Sequence, residues 1–381
     1  MRSASPSTES RSPLVRSLAL MMSLFVALVS VAIVPSAGAV AQGTATVSCE
    51  PLSSVTPAAA TPITLPELGE VTAPEGATKV TVGYMPLSIY APIYVAYEKG
   101  YYAEEGLDVE LQSFTNGTDM TVLTATDQLN IALTGVGPAY WNAISQGLPL
   151  TIIAPGHAES SPVASPLMIS KQACEDGTIT SVADLKGKKV SVNAPGATEM
   201  WLERALETGG LTINDIDLQY LTFPDAVVAL ESGAVDAAIV GEPVATSAEQ
   251  SGVAVRLLDD FDVQDLWVTM VFGNSDWLAA NPEAATGFVR AYLRASADLN
   301  ANFNDPLNLA IINKYTQIDA TLIADSVKPV YSEDGTIPLD SFSTLQTFFG
   351  DRGLLDYDEP IDPTTMIDTQ YVDAATDESG S

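Results

Sequence analysis

Residues 79–114 read KVTVGYMPLSIYAPIYVAYEKGYYAEEGLDVELQSF, and this stretch decides the fold class. Lys79–Tyr84 alternates apolar and polar side chains up to Pro86, the pattern of a strand covered on one face. Pro92–Glu105 carries apolar residues at helical spacing, interrupted at Gly100 and stopped at Gly106. Leu107–Phe114 returns to a period of two. A strand, a helix and a strand of these lengths form a parallel pair with the helix packed across it.

The same unit recurs downstream. Thr118–Asn130 reads as a helix, Ile131–Thr134 as a short buried strand, and Pro138–Gln146 as a helix ended by Gly147. Strands at Leu150–Ala154, Leu167–Ser170, Val190–Asn193, Leu218–Tyr220, Ala237–Val240 and Val255–Leu258 then alternate with helices at Val182–Leu185, Thr198–Thr208 and Ala226–Glu231. Trp267–Phe272 is a further strand, and the remainder is mostly helical. The predicted class is α/β: mostly parallel sheets covered by helices on both faces, with a helical C-terminal third.

With 381 residues, 46% of them hydrophobic, the chain is long enough for about two domains with a large core. Sixteen Lys and Arg stand against 48 Asp and Glu, a formal charge of −32. Such a surface repels phosphate backbones, so nucleic acid is excluded as a partner. One His (His157) and two Cys (Cys49, Cys174) are too few for a zinc, haem or iron–sulfur centre. No catalytic cluster, metal or cofactor is expected. The acidic runs Asp259–Asp262 and Asp356–Glu359 lack the spacing of a calcium loop and read as solvated. His157 follows a strand and reads as a solvated loop residue, and Tyr94, Tyr97, Tyr101 and Tyr102 read as packing.

Arg2, Arg11 and Arg16 precede the uncharged run Leu18–Val34 (LALMMSLFVALVSVAIV), and small residues follow at Ala37-Gly38-Ala39 and Ala39-Val40-Ala41. Residues 1–41 therefore have the layout of an export signal, with an uncleaved membrane anchor as the alternative. Cleavage after Ala41 leaves 13 cationic and 47 acidic residues. The expected location is outside the cytoplasmic membrane, periplasmic or at the cell surface. There Cys49 and Cys174 either pair or stay lone thiols, a choice that the sequence leaves open. Residues 42–77, rich in Thr, Ala, Pro and Ser, read as a linker, and 373–381 as an acidic tail.

Three segments resemble the substrate-binding proteins of ABC importers for nitrate, sulfonates, taurine and thiamine-pyrimidine precursors. They are APIYVAYEKGYYAEEGLDVE at 91–110, ADLKGKKV at 183–190 followed by PGAT at 195–198, and ALESGAVDAA at 229–238 running into Gly241-Glu242-Pro243. The resemblance implies a type II periplasmic-binding-protein fold. Lobe one would hold 78–169 plus 266–372 and lobe two 170–265, hinged near 168–171 and 264–267. It also implies a monomer that captures a small-molecule ligand and hands it to a membrane permease. Two other roles fit the same pattern: a ligand-sensing subunit of a receptor, and a pyrimidine-synthesising enzyme. The enzyme relatives need a His- and Cys-rich centre that this chain lacks.

Within that frame the ligand contacts fall on turns that follow strands, where open α/β sheets bind ligands. In lobe one these are Ser88 and Tyr90, and then Thr134, Gly135 and Val136 ahead of Pro138. In lobe two they are Gly196, Ala197 and Thr198 at a helix start, and Glu242 after a strand. Trp267, after the second crossing, would stack on a planar ligand. Each has a plainer reading as a cap, a core side chain or a surface carboxylate. No Lys or Arg falls in these turns, and Lys171 is the nearest. Tyr90, Trp267 and Glu242 suit a pyrimidine- or flavin-like ring with N–H donors; a sulfonate or nitrate-type anion is the other candidate.

Overall fold

A computed structural model describes residues 49–50, 63–263 and 265–377. The expected export signal, most of the linker and the last four residues lie outside the described residues. Among the described residues, no helix is long and apolar enough to cross a membrane.

Two five-stranded sheets organise the fold. In chain order the strands are β1 (Thr78–Tyr84), β2 (Leu107–Ser113), β3 (Ile131–Gly135), β4 (Leu150–Pro155), β5 (His157–Ala158), β6 (Leu167–Ser170), β7 (Lys189–Val192), β8 (Asp217–Tyr220), β9 (Ala237–Ile239), β10 (Ala254–Leu258), β11 (Thr269–Asn274) and β12 (Val330–Tyr331). The first sheet has the order β2-β1-β3-β11-β4 and the second β8-β7-β9-β6-β10, while β5 and β12 form a short ribbon. The two sheets share one plan, with the fourth position held by a strand from the far side of the chain.

That fourth strand is the antiparallel exception in each mostly parallel sheet. β11 runs antiparallel to β3 and β4, and β6 runs antiparallel to β9 and β10. Each enters its sheet directly from the other lobe, without the crossover helix that makes neighbours parallel. Because Leu167–Ser170 pairs in the second sheet, the first crossing lies within 156–166, earlier than residue 169. The second lies between β10 and β11, within 259–268.

Strand alternation divides the interior. On β6, Leu167 and Ile169 face a core shared with Trp201, Leu202, Met270 and Phe272, whereas Met168 faces a smaller core with Ala238, Val240 and Leu230. The shared core carries side chains from both sheets, so the lobes are packed against one another. A third core, built on Val80, Val82, Ile93 and Tyr94, is covered by the Pro282–Asn302 helix. Ile63, Leu65 and Leu68 of the expected linker pack on this core, as do Tyr371 and Val372 from the Gln370–Asp377 helix, which includes the start of the expected tail. Burial of these apolar residues outweighs the polar composition around them.

Cys49 and Cys174 are bonded, with Cα atoms 5.8 Å apart. The bond attaches the chain ahead of lobe one to the Lys171–Glu175 helix beside β6.

Candidate functional site between the lobes

Two helix starts meet where the sheets face one another. β3 leads through Gly135–Gly137 into the Pro138–Ser145 helix, and the Val136 N–H donates to the Val268 carbonyl (2.9 Å), fixing this turn to the second crossing. In the second sheet, β7 leads through 193–196 into the Ala197–Glu207 helix. Gly196 takes φ 137° and ψ −134°, a conformation reserved for glycine. A Cβ there would lie 3.7 Å from Pro138 Cδ and 3.8 Å from Gly137 Cα. The unpaired N–H groups of both helices, with their partial positive charge, are thus brought to one place.

Several expected contacts are already engaged inside the protein. Thr134 is buried beside the Tyr90 hydroxyl, and its Oγ1 lies 2.2 Å from where a Cβ on Gly117 would stand. That turn therefore closes around Thr134, and burial pushes the Tyr90 phenol pKa up. The Thr198 hydroxyl lies 2.6 Å from Asn193 Oδ1 and 3.2 Å from the Ala194 carbonyl, both within its own turn. The Trp267 backbone N–H donates to Ser341 Oγ (3.0 Å), and its ring is packed against the shared core.

Glu242 is the most fully occupied. Its Oε1 accepts from Arg256 Nη2 (2.5 Å), Thr246 Oγ1 (3.0 Å) and, more weakly, the Val327 N–H (3.4 Å). Oε2 accepts from the Thr246 N–H (3.0 Å), and Arg256 Nε donates to Glu249 Oε2 (2.8 Å). The cation absent from the turns is supplied by β10, fourteen residues along the chain. A second one, Arg352, reaches Glu199 from the C-terminal helices (3.2 Å), and the Tyr220 hydroxyl also donates to Glu199. Glu199 sits in the first turn of the Ala197–Glu207 helix, so this ion pair spans the lobes.

Other residues hold what these lack. His157 is 1% exposed, contrary to the solvated loop expected of it. β5 pairs with β12 and covers it, and its Nδ1 lies 2.6 Å from Thr269 Oγ1. Burial lowers its pKa from 6.5 to about 4, keeping the ring neutral. The ring centre lies 6.4 Å from that of Trp201, on the Ala197–Glu207 helix of the opposite lobe. Ser88 lies beside the same ribbon, its carbonyl accepting from the Tyr331 hydroxyl (2.9 Å). Glu159 follows β5; its Oε2 accepts from the Ala164 N–H (2.5 Å) and it is also bonded to Ser165. Among the described residues Ser88 Oγ, Trp201 Nε1 and Glu159 Oε1 are buried without a hydrogen-bond partner. Trp201 and Glu159 were not singled out from the sequence. Trp201 has the spacing of a core helix residue, and the alternation His157-Ala158-Glu159 within the first crossing was the one available signal.

Similar proteins agree with this architecture. The family model described as NMT1/THI5 like matches residues 88–304, a span that contains every turn above. The riboflavin-binding protein RibY of Chloroflexus aurantiacus is 30% identical over 275 residues, covering 69% of this chain and 73% of that protein. The nitrate/nitrite binding protein NrtA of a Nostoc species is 24% identical over 278 residues, covering 66% and 61%. The crystal structure of the periplasmic aliphatic sulphonate binding protein SsuA from Escherichia coli superposes with a TM-score of 0.63 at 20% identity, covering 77% of this chain and 93% of that one. At that identity the likeness is one of fold.

Proposed function

The chain belongs to the NMT1/THI5-like family, and on that premise we propose that it captures a small planar heteroaromatic solute between its lobes outside the cytoplasmic membrane and delivers it to an ABC permease. The observation that carries the choice of solute is the Trp201–His157 pair across the lobe interface. The two rings, one from each lobe, stand 6.4 Å apart and tilted by 59°, and the Trp201 indole N–H has no partner among the described residues. This is the ligand class suggested by Tyr90, Trp267 and Glu242, served by different side chains. Similarity to a riboflavin-binding protein supports it.

The protein acts as a monomer and as a carrier rather than an enzyme. Its one imidazole is neutral and hydrogen-bonded to Thr269, an arrangement that fixes a ring in place. The lobes part about the chain crossings at 156–166 and 259–268 to admit the solute, a reading that the two separate sheets support. The facing helix starts at Gly137 and Gly196 favour a second reading, an oxyanion held by N–H groups alone. Titration with riboflavin, nitrate and methanesulfonate, followed by thermal unfolding, separates the two. A ring ligand at 100 times its dissociation constant should add about 2.7 kcal/mol of stability, with no response to either anion. Stabilisation by an anion alone would reject the ring reading.

A further inference from the structure

Glu199 is a fully buried carboxylate whose cation comes from the other lobe. It lies in the first turn of the Ala197–Glu207 helix, and Trp201 follows two residues later. Within lobe two the Tyr220 hydroxyl, at the end of β8, donates to Glu199. Arg352 Nε reaches Glu199 Oε2 at 3.2 Å, and the Tyr220 hydroxyl accepts from Arg352 as well. Parting the lobes would leave this carboxylate with one hydroxyl and the helix dipole, a thin supply for a charge taken out of water.

Arg352 is tied to lobe one. It ends the Leu339–Asp351 helix, whose Phe342 ring lies 6.4 Å from the Trp141 ring. Just beyond it, the Leu354 carbonyl accepts from Asn142 Nδ2 (3.1 Å), and the Asp356 N–H donates to Asn142 Oδ1 (2.9 Å). Trp141 and Asn142 belong to the Pro138–Ser145 helix, which follows β3 of the first sheet.

The ion pair also stands away from the crossings. At its other end the same helix touches the second crossing, where Ser341 Oγ accepts from the Trp267 backbone N–H and donates to the Asp265 carbonyl. From Ser341 to Arg352 the helix advances about 16 Å. The two crossings are joined to each other separately: the Val163 N–H donates to the Asp259 carbonyl (2.7 Å) and Ser161 Oγ to Asp260 Oδ1 (2.9 Å). A rotation about the crossings spares those bonds and pulls on the distant ion pair. The Arg352 side chain is 23% exposed, so its guanidinium is readily rehydrated once released, whereas Glu199 is not wetted until the lobes part.

Resting on solute capture between the lobes, we propose that Arg352 is a positioning residue that acts as a latch: through Glu199 and Tyr220 it holds the lobes closed, so entry and exit of the solute both wait for this contact to break. It touches no solute itself.

The experiment is stopped-flow mixing of the full chain with riboflavin, beside small-angle scattering without riboflavin. Arg352→Ala should speed association and dissociation alike, each about tenfold, because a latch retards both. Its radius of gyration without riboflavin should exceed that of the wild type. Damage to the site would raise the dissociation rate alone, so that result overturns the latch, as does an unchanged radius. Tyr220→Phe, an isosteric change at an exposed ring, should speed both rates about threefold. Unchanged rates in Tyr220→Phe overturn the proposal, and this variant carries the test where Arg352→Ala fails to fold. Absence of riboflavin binding by the wild type overturns the ring reading instead. Scattering then judges the latch alone, and an Arg352→Ala chain no larger than the wild type overturns it.

Discussion

Glu242 and Glu159 are both sealed from solvent, one at the corner between β9 and β10 and the other in the crossing between β4 and β6. At the first corner a cation is at hand: Arg256 bridges Glu242 and Glu249, and Thr246 supplies two further donors. Among the described residues no cation acts on the crossing's carboxylate, and burial pushes the Glu159 pKa from 4.5 up to about 7. Two acidic residues of similar burial thus do opposite work. A carboxylate bridged by a cation locks two elements together, and one buried without a cation is held nearer its neutral form.

The sharpest way to break this contrast is Arg256→Ala. It leaves two buried carboxylates facing each other, and a loss of about 3–5 kcal/mol in a urea titration is expected. Retained stability would mean that the corner is no lock. Next comes the pH response. Glu159, with a raised pKa, favours the fold below pH 4.5 and loses that contribution as pH rises through about 7. His157, with a lowered pKa, does the reverse: its contribution is present above 6.5 and lost as pH falls through about 4. The two slopes oppose each other between pH 4.5 and 6.5. Relative to wild type, Glu159→Gln should therefore gain about 3 kcal/mol between pH 4 and 8, and His157→Gln should fall by a similar amount over the same range. Parallel curves for wild type and Glu159→Gln would mean that Glu159 is matched after all.

The smallest effect is that of Thr198→Ala. Its hydroxyl serves Asn193 and Ala194, so the cost should be about 1 kcal/mol of stability, with solute affinity nearly unchanged in calorimetry. A loss of affinity without a loss of stability would return Thr198 to the ligand.

The fold was legible because its signals are local. Period-two and helical spacing around 79–114, Gly106 and Gly147 as stops, and Pro92 and Pro138 as helix starts all act within a few residues. The antiparallel β6 and β11 were not legible, since direction depends on where a strand comes from. The turns of the candidate site were legible, but the partners of their side chains were not. Glu242 looks available until Arg256 arrives from β10, and His157 looks exposed until Thr269, more than 100 residues later, bonds its ring. Spacing says which backbone meets the cleft, but tertiary partners decide which side chains remain unspent there.

The bond between Cys49 and Cys174 changes how the molecule can be held. Although the first strand of the chain belongs to the first sheet, tension on residues ahead of Cys49 is delivered through Cys174 to the second. The stretch around Cys49 is thus tied covalently to lobe two, while Ile63 and its neighbours, farther along, hold the chain to lobe one.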